Sequence, residues 1–247
     1  MHIQVNGAPL YAYTGGKAFD PAKPTVVFVH GVLNDHSVWI LQSRYLANHG
    51  WNVLAIDLPG HGRSGGEPPA TVESAADTGL ALLATVGVEQ AALVGHSFGS
   101  LIALEAASRA PAHVSHLVMV GTAFPMKVSP ALLEGAVKAP EKAITMVNNF
   151  SHSTLAPPPS ALGPGTWLYG GSRALMRRVL ASNPKVNVFY TGFKACDDYA
   201  NGETAMAAVH CPTLFLVGRH DQMTPPKSAK ALAQHARLAK IVEVNAG

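Results

Sequence analysis

The stretch Gly95-His96-Ser97-Phe98-Gly99 sets a serine between two glycines, each two residues away, at the point where an apolar run over Ala91 to Gly95 gives way to the helical pattern of Ser100 to Ala110. A serine at so tight a strand-to-helix turn is held in a strained backbone conformation, and glycines flank it because a side chain at either position would clash. The strain lifts the hydroxyl above the sheet. The N-terminus of the following helix adds free N–H groups and a positive dipole end, which suit an oxygen that gains negative charge when a carbonyl is attacked. Taken alone, the same five residues also describe a serine that merely caps a helix after a glycine-rich turn.

The elements that must hold this turn are legible around it. Apolar, β-rich runs occupy 25–30, 52–57, 91–95, 116–121, 213–218 and 240–244, with helical patterns at 37–49, 72–86 and 100–110 between them. This alternation predicts an α/β fold, a mostly parallel, doubly wound sheet covered on both faces, because parallel neighbours need crossover connections and doubly buried strands read as continuous apolar runs. The first residues alternate polar and apolar around Asn6-Gly7, which predicts an antiparallel hairpin at the sheet edge. Between Thr122 and Tyr190 the spacing becomes far longer than one crossover needs. That interval carries a helical stretch near Pro130 to Asn149, a loop LAPPPSALGPG at 155–165 and a second helix SRALMRRVLAS at 172–182, content suited to a lid. The domain reading is therefore a core formed by 1–121 and 191–247, with a helical cap at 122–190 that sits over Ser97.

Composition narrows the partners. Hydrophobic residues make up 48% and charged residues 13%, the formal charge is +3, and the basic residues are scattered apart from Arg177 and Arg178. No electrostatic footprint for nucleic acid or anionic lipid is present, and no apolar run is long enough for a membrane span. The N-terminus lacks the basic start and apolar core of a signal peptide, so a cytoplasmic location is expected, and the scattered charge leaves a small molecule as the expected partner. Cys196 and Cys211 lack metal-site spacing and are expected to be buried thiols without a catalytic role.

Three further motifs occur in order: VFVHGVLNDHSVW at 27–39, AIDLPGHGRSGG at 55–66 and TLFLVGRHDQMTPP at 213–226. Together with Gly95–Gly99 they resemble the α/β-hydrolase superfamily over nearly the whole chain: its His-Gly turn, its Asp-x-Pro-Gly-x-Gly-x-Ser loop, its nucleophile elbow, and the strand and loop that carry its triad acid. The resemblance implies Ser97 as nucleophile, the backbone N–H groups of Val32 and Phe98 as the oxyanion hole, and Asp221 as the acid that orients a histidine. It implies no metal and no cofactor. His30, His61 and His96 lie in these motifs and are expected to satisfy loops or line the pocket floor. Serine as nucleophile sets the chain apart from the dehalogenases and epoxide hydrolases of that superfamily, which use aspartate.

In the superfamily the base follows the last core strand. Here that strand is KIVEV, the loop begins Asn245-Ala246-Gly247, and a histidine is expected just after Gly247. By chain position no other histidine replaces it, since His210 and His220 flank the previous strand and His235 precedes the last one. The expectation is a hydrolase sequence that stops short of its base, against the alternative of a pseudoenzyme. The expected chemistry is that of a serine carboxylesterase acting through an acyl-enzyme, impaired in this form. An acyltransferase or a carbon–carbon bond hydrolase with the same site, and a ligand-binding module without turnover, are the alternatives. Leu132, Leu133, Met146, Leu175 and Met176 of the insertion are expected to supply an apolar acyl pocket.

Overall fold

The computed structural model describes residues 1–152 and 167–246, so the proline-rich loop at 155–165 lies outside the described residues. The strands are β1 (His2–Val5), β2 (Ala8–Tyr13), β3 (Thr25–Val29), β4 (Asn52–Ile56), β5 (Ala91–His96), β6 (Val114–Val120), β7 (Thr213–Gly218) and β8 (Ala239–Val244). They form one eight-stranded sheet in the order β1-β2-β4-β3-β5-β6-β7-β8. From β4 to β8 every neighbour is parallel, while β1 and β2 form the expected antiparallel edge. The hairpin turns on Asn6 and Gly7, with φ of 51° and 79°, the left-handed pair that matches strand twist.

The helices between the strands are α1 (Ile40–Asn48), α2 (Val72–Thr85) and α3 (Phe98–Arg109), followed by α4 (Pro130–Lys138), α5 (Pro140–Phe150), α6 (Leu168–Ser182), α7 (Val188–Asp198), α8 (Gly202–Ala208) and α9 (Pro226–Ala233). A 3-10 turn over His36–Trp39 precedes α1. Thr71 and Ser74 start α2 with reciprocal side-chain-to-backbone hydrogen bonds of 3.1 and 3.3 Å, which satisfy two free N–H groups of the first turn. The stretch near Pro130 to Asn149 reads as one helix in the sequence and is two. Pro140 forbids the helical conformation at Ala139, which sits at φ −149° and ψ 62°, and then serves as the first residue of α5.

Two apolar bodies result. Leu54, Leu101, Leu104, Leu117, Met119 and Phe215 are at most 1% exposed and pack in the core between the sheet and the helices α2 and α3. A second cluster, built around Leu132, Ile144, Val147, Met176, Val179 and Phe189, joins α4, α5, α6 and the start of α7. Helix α7 crosses from one body to the other: Val188, Phe189 and Phe193 belong to the second cluster, Ala195 and Cys196 to the core.

Helices lie on both faces of the sheet as expected, and among the described residues the cover is uneven. On the face shared with α1, Val26, Phe28 and Ala92 are buried, but Val94, Val118, Val120, Leu214, Leu216 and Val242 are only half-buried, with Leu41 and Tyr45 of α1 exposed at 48% and 62%. Cys196 is buried and Cys211 half-buried, and burial pushes both thiols above their ordinary range.

Candidate active site

Ser97 stands between β5 and α3 with φ 52° and ψ −120°, one of three non-glycine residues with positive φ among those described. The strain is fixed by its neighbours. A Cβ added at Gly95 would overlap the Gly99 carbonyl oxygen, and one added at Gly99 would overlap the Val29 carbonyl, so strand and helix approach as closely as backbone allows. Ser97 N–H donates to the Val120 carbonyl at 3.0 Å, and Ser100 Oγ lies 2.5 Å from the Ser97 carbonyl oxygen and 2.7 Å from Thr122 Oγ1. These contacts hold the backbone conformation against relaxation.

The loop after β3 meets this turn. Gly31 packs so near that a Cβ there would lie 3.1 Å from Ser97 Cβ. Leu33, with φ 55° and 1% exposure, buries itself in the second apolar cluster and folds the chain back after Val32. Among the described residues, the N–H groups of Val32 and Phe98 have no hydrogen-bond partner, which leaves both donors open to a ligand.

Asp221 follows β7. Its Oδ1 accepts from Met223 N–H at 2.9 Å and Thr224 N–H at 2.8 Å, and its Oδ2 accepts from Thr224 Oγ1 at 2.6 Å. Three donors thus orient the carboxylate. The end of β8 passes beside it: His220 N–H donates to the Ala246 carbonyl at 2.9 Å. Ser97, Val32 and Asp221 line one cavity of about 260 Å³, together with Asn34, His96, Ser151, His152, Ser172 and Met176. Phe98 is 1% exposed, with its ring in the core. A second cavity of about 270 Å³ opens from the same Ser97 and is lined by Met126, Val128, Leu132, Met146, Phe150 and Met223.

Of the five insertion residues expected to form the pocket, Leu132 and Met146 line the second cavity and Met176 the first. Leu133 and Leu175 do not line either one; they turn inward and pack against the second cluster. Of the cavity residues missed from sequence, Asn34 and Met223 lie inside the quoted motifs at positions given no role, whereas Ser151, His152 and Ser172 carry no motif and reach the cavity only through the packing of α5 and α6.

The motif histidines divide. His30 is fully buried, its Nδ1–H donating to the Gly31 carbonyl at 2.8 Å and its Nε2 accepting from Leu58 N–H at 3.1 Å, so both nitrogens are used. His61 donates from Nδ1 to the Pro59 carbonyl at 3.0 Å, and burial, helped by His30, lowers its pKa to about 4. His96 lines the cavity floor, and desolvation lowers its pKa although Asp221 pulls the other way.

A cluster of Asp35, His36 and Asp57 offers ligand atoms within 4.8 Å of one another. Its oxygens are already engaged: Asp57 Oδ1 accepts from His36 N–H and Nδ1 at 2.7 Å, Asp57 Oδ2 from Arg63 N–H at 2.9 Å, and Asp35 Oδ2 from Arg178 at 2.6 Å. Burial opposes ionisation of Asp57, but these donors outweigh it and hold the carboxyl below its usual range. The cluster is a brace for the 57–64 loop, and its donors leave little for a cation.

The family profile described as alpha/beta hydrolase fold matches residues 24–247. The chain belongs to that family. Among curated relatives, the putative carbamate hydrolase RutD of Agrobacterium fabrum is 29% identical over 122 residues, 49% of this chain and 42% of that protein. The chain spans under half the length of the first such relatives it matches. The pimeloyl-[acyl-carrier protein] methyl ester esterase of Neisseria meningitidis is 26% identical over 238 residues, covering 92% of this chain and 86% of that one. The crystal structure of the enol-lactonase from Burkholderia xenovorans LB400 superposes with a TM-score of 0.82 at 23% identity, over 100% of this chain and 92% of that one, a likeness that speaks for this α/β-hydrolase fold alone. No described helix is long and apolar enough to cross a membrane.

Proposed function

We propose that the chain is the catalytic body of a serine-dependent carboxylester hydrolase working through an acyl-enzyme on Ser97. The observation that carries this reading is the convergence on one cavity of a strained serine, the Val32 loop with its free N–H, and an oriented carboxylate, Asp221. Ser97 Oγ attacks the ester carbonyl and gives its proton to a histidine. The carbonyl oxygen, now negative, is held by the N–H groups of Val32 and Phe98. The histidinium, stabilised by Asp221, protonates the departing alkoxide, and water repeats the sequence to release the acid. The histidine's place is in the loop that leaves β8, which already touches the Asp221 loop through the His220–Ala246 hydrogen bond. Helices α4 to α6 act as the cap, with the second cluster as their own core. The ester-hydrolysing relatives support the reaction class.

The test compares p-nitrophenyl acetate turnover by three proteins: the 247-residue chain, the chain carried past Gly247 with a histidine as the next residue, and that longer chain with Ser97→Ala. The longer chain is expected to be active, the other two lower by up to on the order of a millionfold in turnover. Full activity in the Ser97→Ala protein overturns the assignment.

A further inference from the structure

Ser97 stands where two cavities of different lining meet. One side, walled by Met126, Leu132, Met146 and Phe150, is the more apolar, with Lys127, Ser129 and Gln222 also on its lining. The other carries Asn34, Ser151, His152, Ser172 and Asp221, with no lysine or arginine among its described lining residues.

His152 is the informative member of the polar side. Its Nδ1 lies 2.8 Å from the Asn148 carbonyl oxygen. A carbonyl can only accept, so Nδ1 bears the hydrogen, and in the uncharged tautomer that this selects the lone pair is at Nε2. The ring packs on Tyr169 at a centroid distance of 5.6 Å, and Tyr169 is itself tied to α5 by Asn148 Nδ2 at 2.9 Å and Asn149 Oδ1 at 2.7 Å. Next to it, Ser151 Oγ gives its proton to the Val147 carbonyl at 2.8 Å, leaving acceptor capacity only. These side chains lie at the C-terminal end of α5, the negative end of its dipole. This wall therefore accepts hydrogen bonds and repels anions.

The direction of the substrate rests on the proposed hydrolase reading. The base must protonate the departing oxygen, and Asp221, which orients the base, lines the polar cavity and not the apolar one. The alcohol portion thus occupies the polar side and the acyl chain the apolar side. We propose that His152 is a specificity-determining residue whose Nε2 accepts a hydrogen bond from a hydroxyl of the leaving group, making the preferred substrate an ester of an apolar acid with a neutral, hydroxyl-bearing alcohol.

Uncleavable ethers test this without turnover. Calorimetric titration of the chain with 1-O-octylglycerol, with its di-O-methyl derivative and with octyl phosphate reads the lobe directly. The diol is expected to bind about fivefold tighter than the dimethyl ether, the worth of one net hydrogen bond, and octyl phosphate weakest. In His152→Leu the diol advantage collapses to within about twofold while the dimethyl ether is unaffected, and His152→Gln, which keeps an acceptor, restores part of it. Equal weakening of both ethers by His152→Leu, or octyl phosphate binding as tightly as the diol, overturns the proposal. Ester turnover by the longer, histidine-bearing chain with Ser97 intact, read beside the same titrations on that chain, separates the two readings. Diol selectivity that survives without ester turnover supports His152 and counts against the hydrolase alone; turnover without diol selectivity counts against His152 alone.

Discussion

His30 and His61 face each other at a centroid distance of 5.3 Å under the site, each with Nδ1 bonded to a backbone carbonyl. Burial keeps both neutral. The folded chain takes a proton on His61 only near pH 4, the unfolded chain near 6.5, so between those values the unfolded state binds more protons. Stability from this site is complete above pH 6.5 and is lost as pH falls towards 4, by about 3 kcal/mol in total. In urea titrations from pH 7 to 4, His61→Gln is expected to flatten the fall in stability; an unchanged slope assigns the acid sensitivity elsewhere. At this scale the chemistry of the serine turn was the most readable part of the chain, because Gly95 and Gly99 are demanded by contacts within a few residues of Ser97 or with the strand beside it. His152 was unreadable for the opposite reason. Its place in the cavity is set by the Asn148 carbonyl and Tyr169, a helix end and a neighbouring helix, and no spacing in the sequence announces either.

Helices with local start signals were the easiest elements to foresee. Thr71 and Ser74 mark the start of α2, and Thr71→Ala is expected to cost about 1 kcal/mol in thermal or urea unfolding. Because α2 packs on α3 and β1, away from the residues lining Ser97's cavities, covalent labelling of Ser97 by a fluorophosphonate in the longer, histidine-bearing chain should proceed at the parent rate. A large change in labelling would mean that α2 helps to hold the serine turn. Helix α7 was not foreseen, and its role explains why. Its apolar residues serve the second cluster through Phe189 and Phe193 and the core through Ala195 and Cys196, so it lacks one stripe facing one partner. The break at Ala139-Pro140 was written in the sequence; the apolar periodicity across it simply hides it, because α4 and α5 bury residues into the same cluster.

For the whole molecule, the parallel sheet with its antiparallel edge was legible from the rhythm of apolar runs. Which face each helix takes was not, since a short apolar strand looks alike whether both sides are packed or one. From β5 outwards, the side shared with α1 keeps Val94, Val118, Leu214, Leu216 and Val242 only half-buried beside exposed Leu41 and Tyr45. Such a surface should light up amphiphilic dyes in the native state. With 1-anilinonaphthalene-8-sulfonate at pH 7, bright fluorescence is expected together with an intact near-ultraviolet circular dichroism spectrum, whereas loosely packed intermediates lose the latter. A dark dye with intact dichroism would mean that this face is shielded in solution. For anyone screening variants of this 247-residue chain by dye-based melting, the starting signal would then report a native surface of that chain, and a high baseline would be no sign of damage.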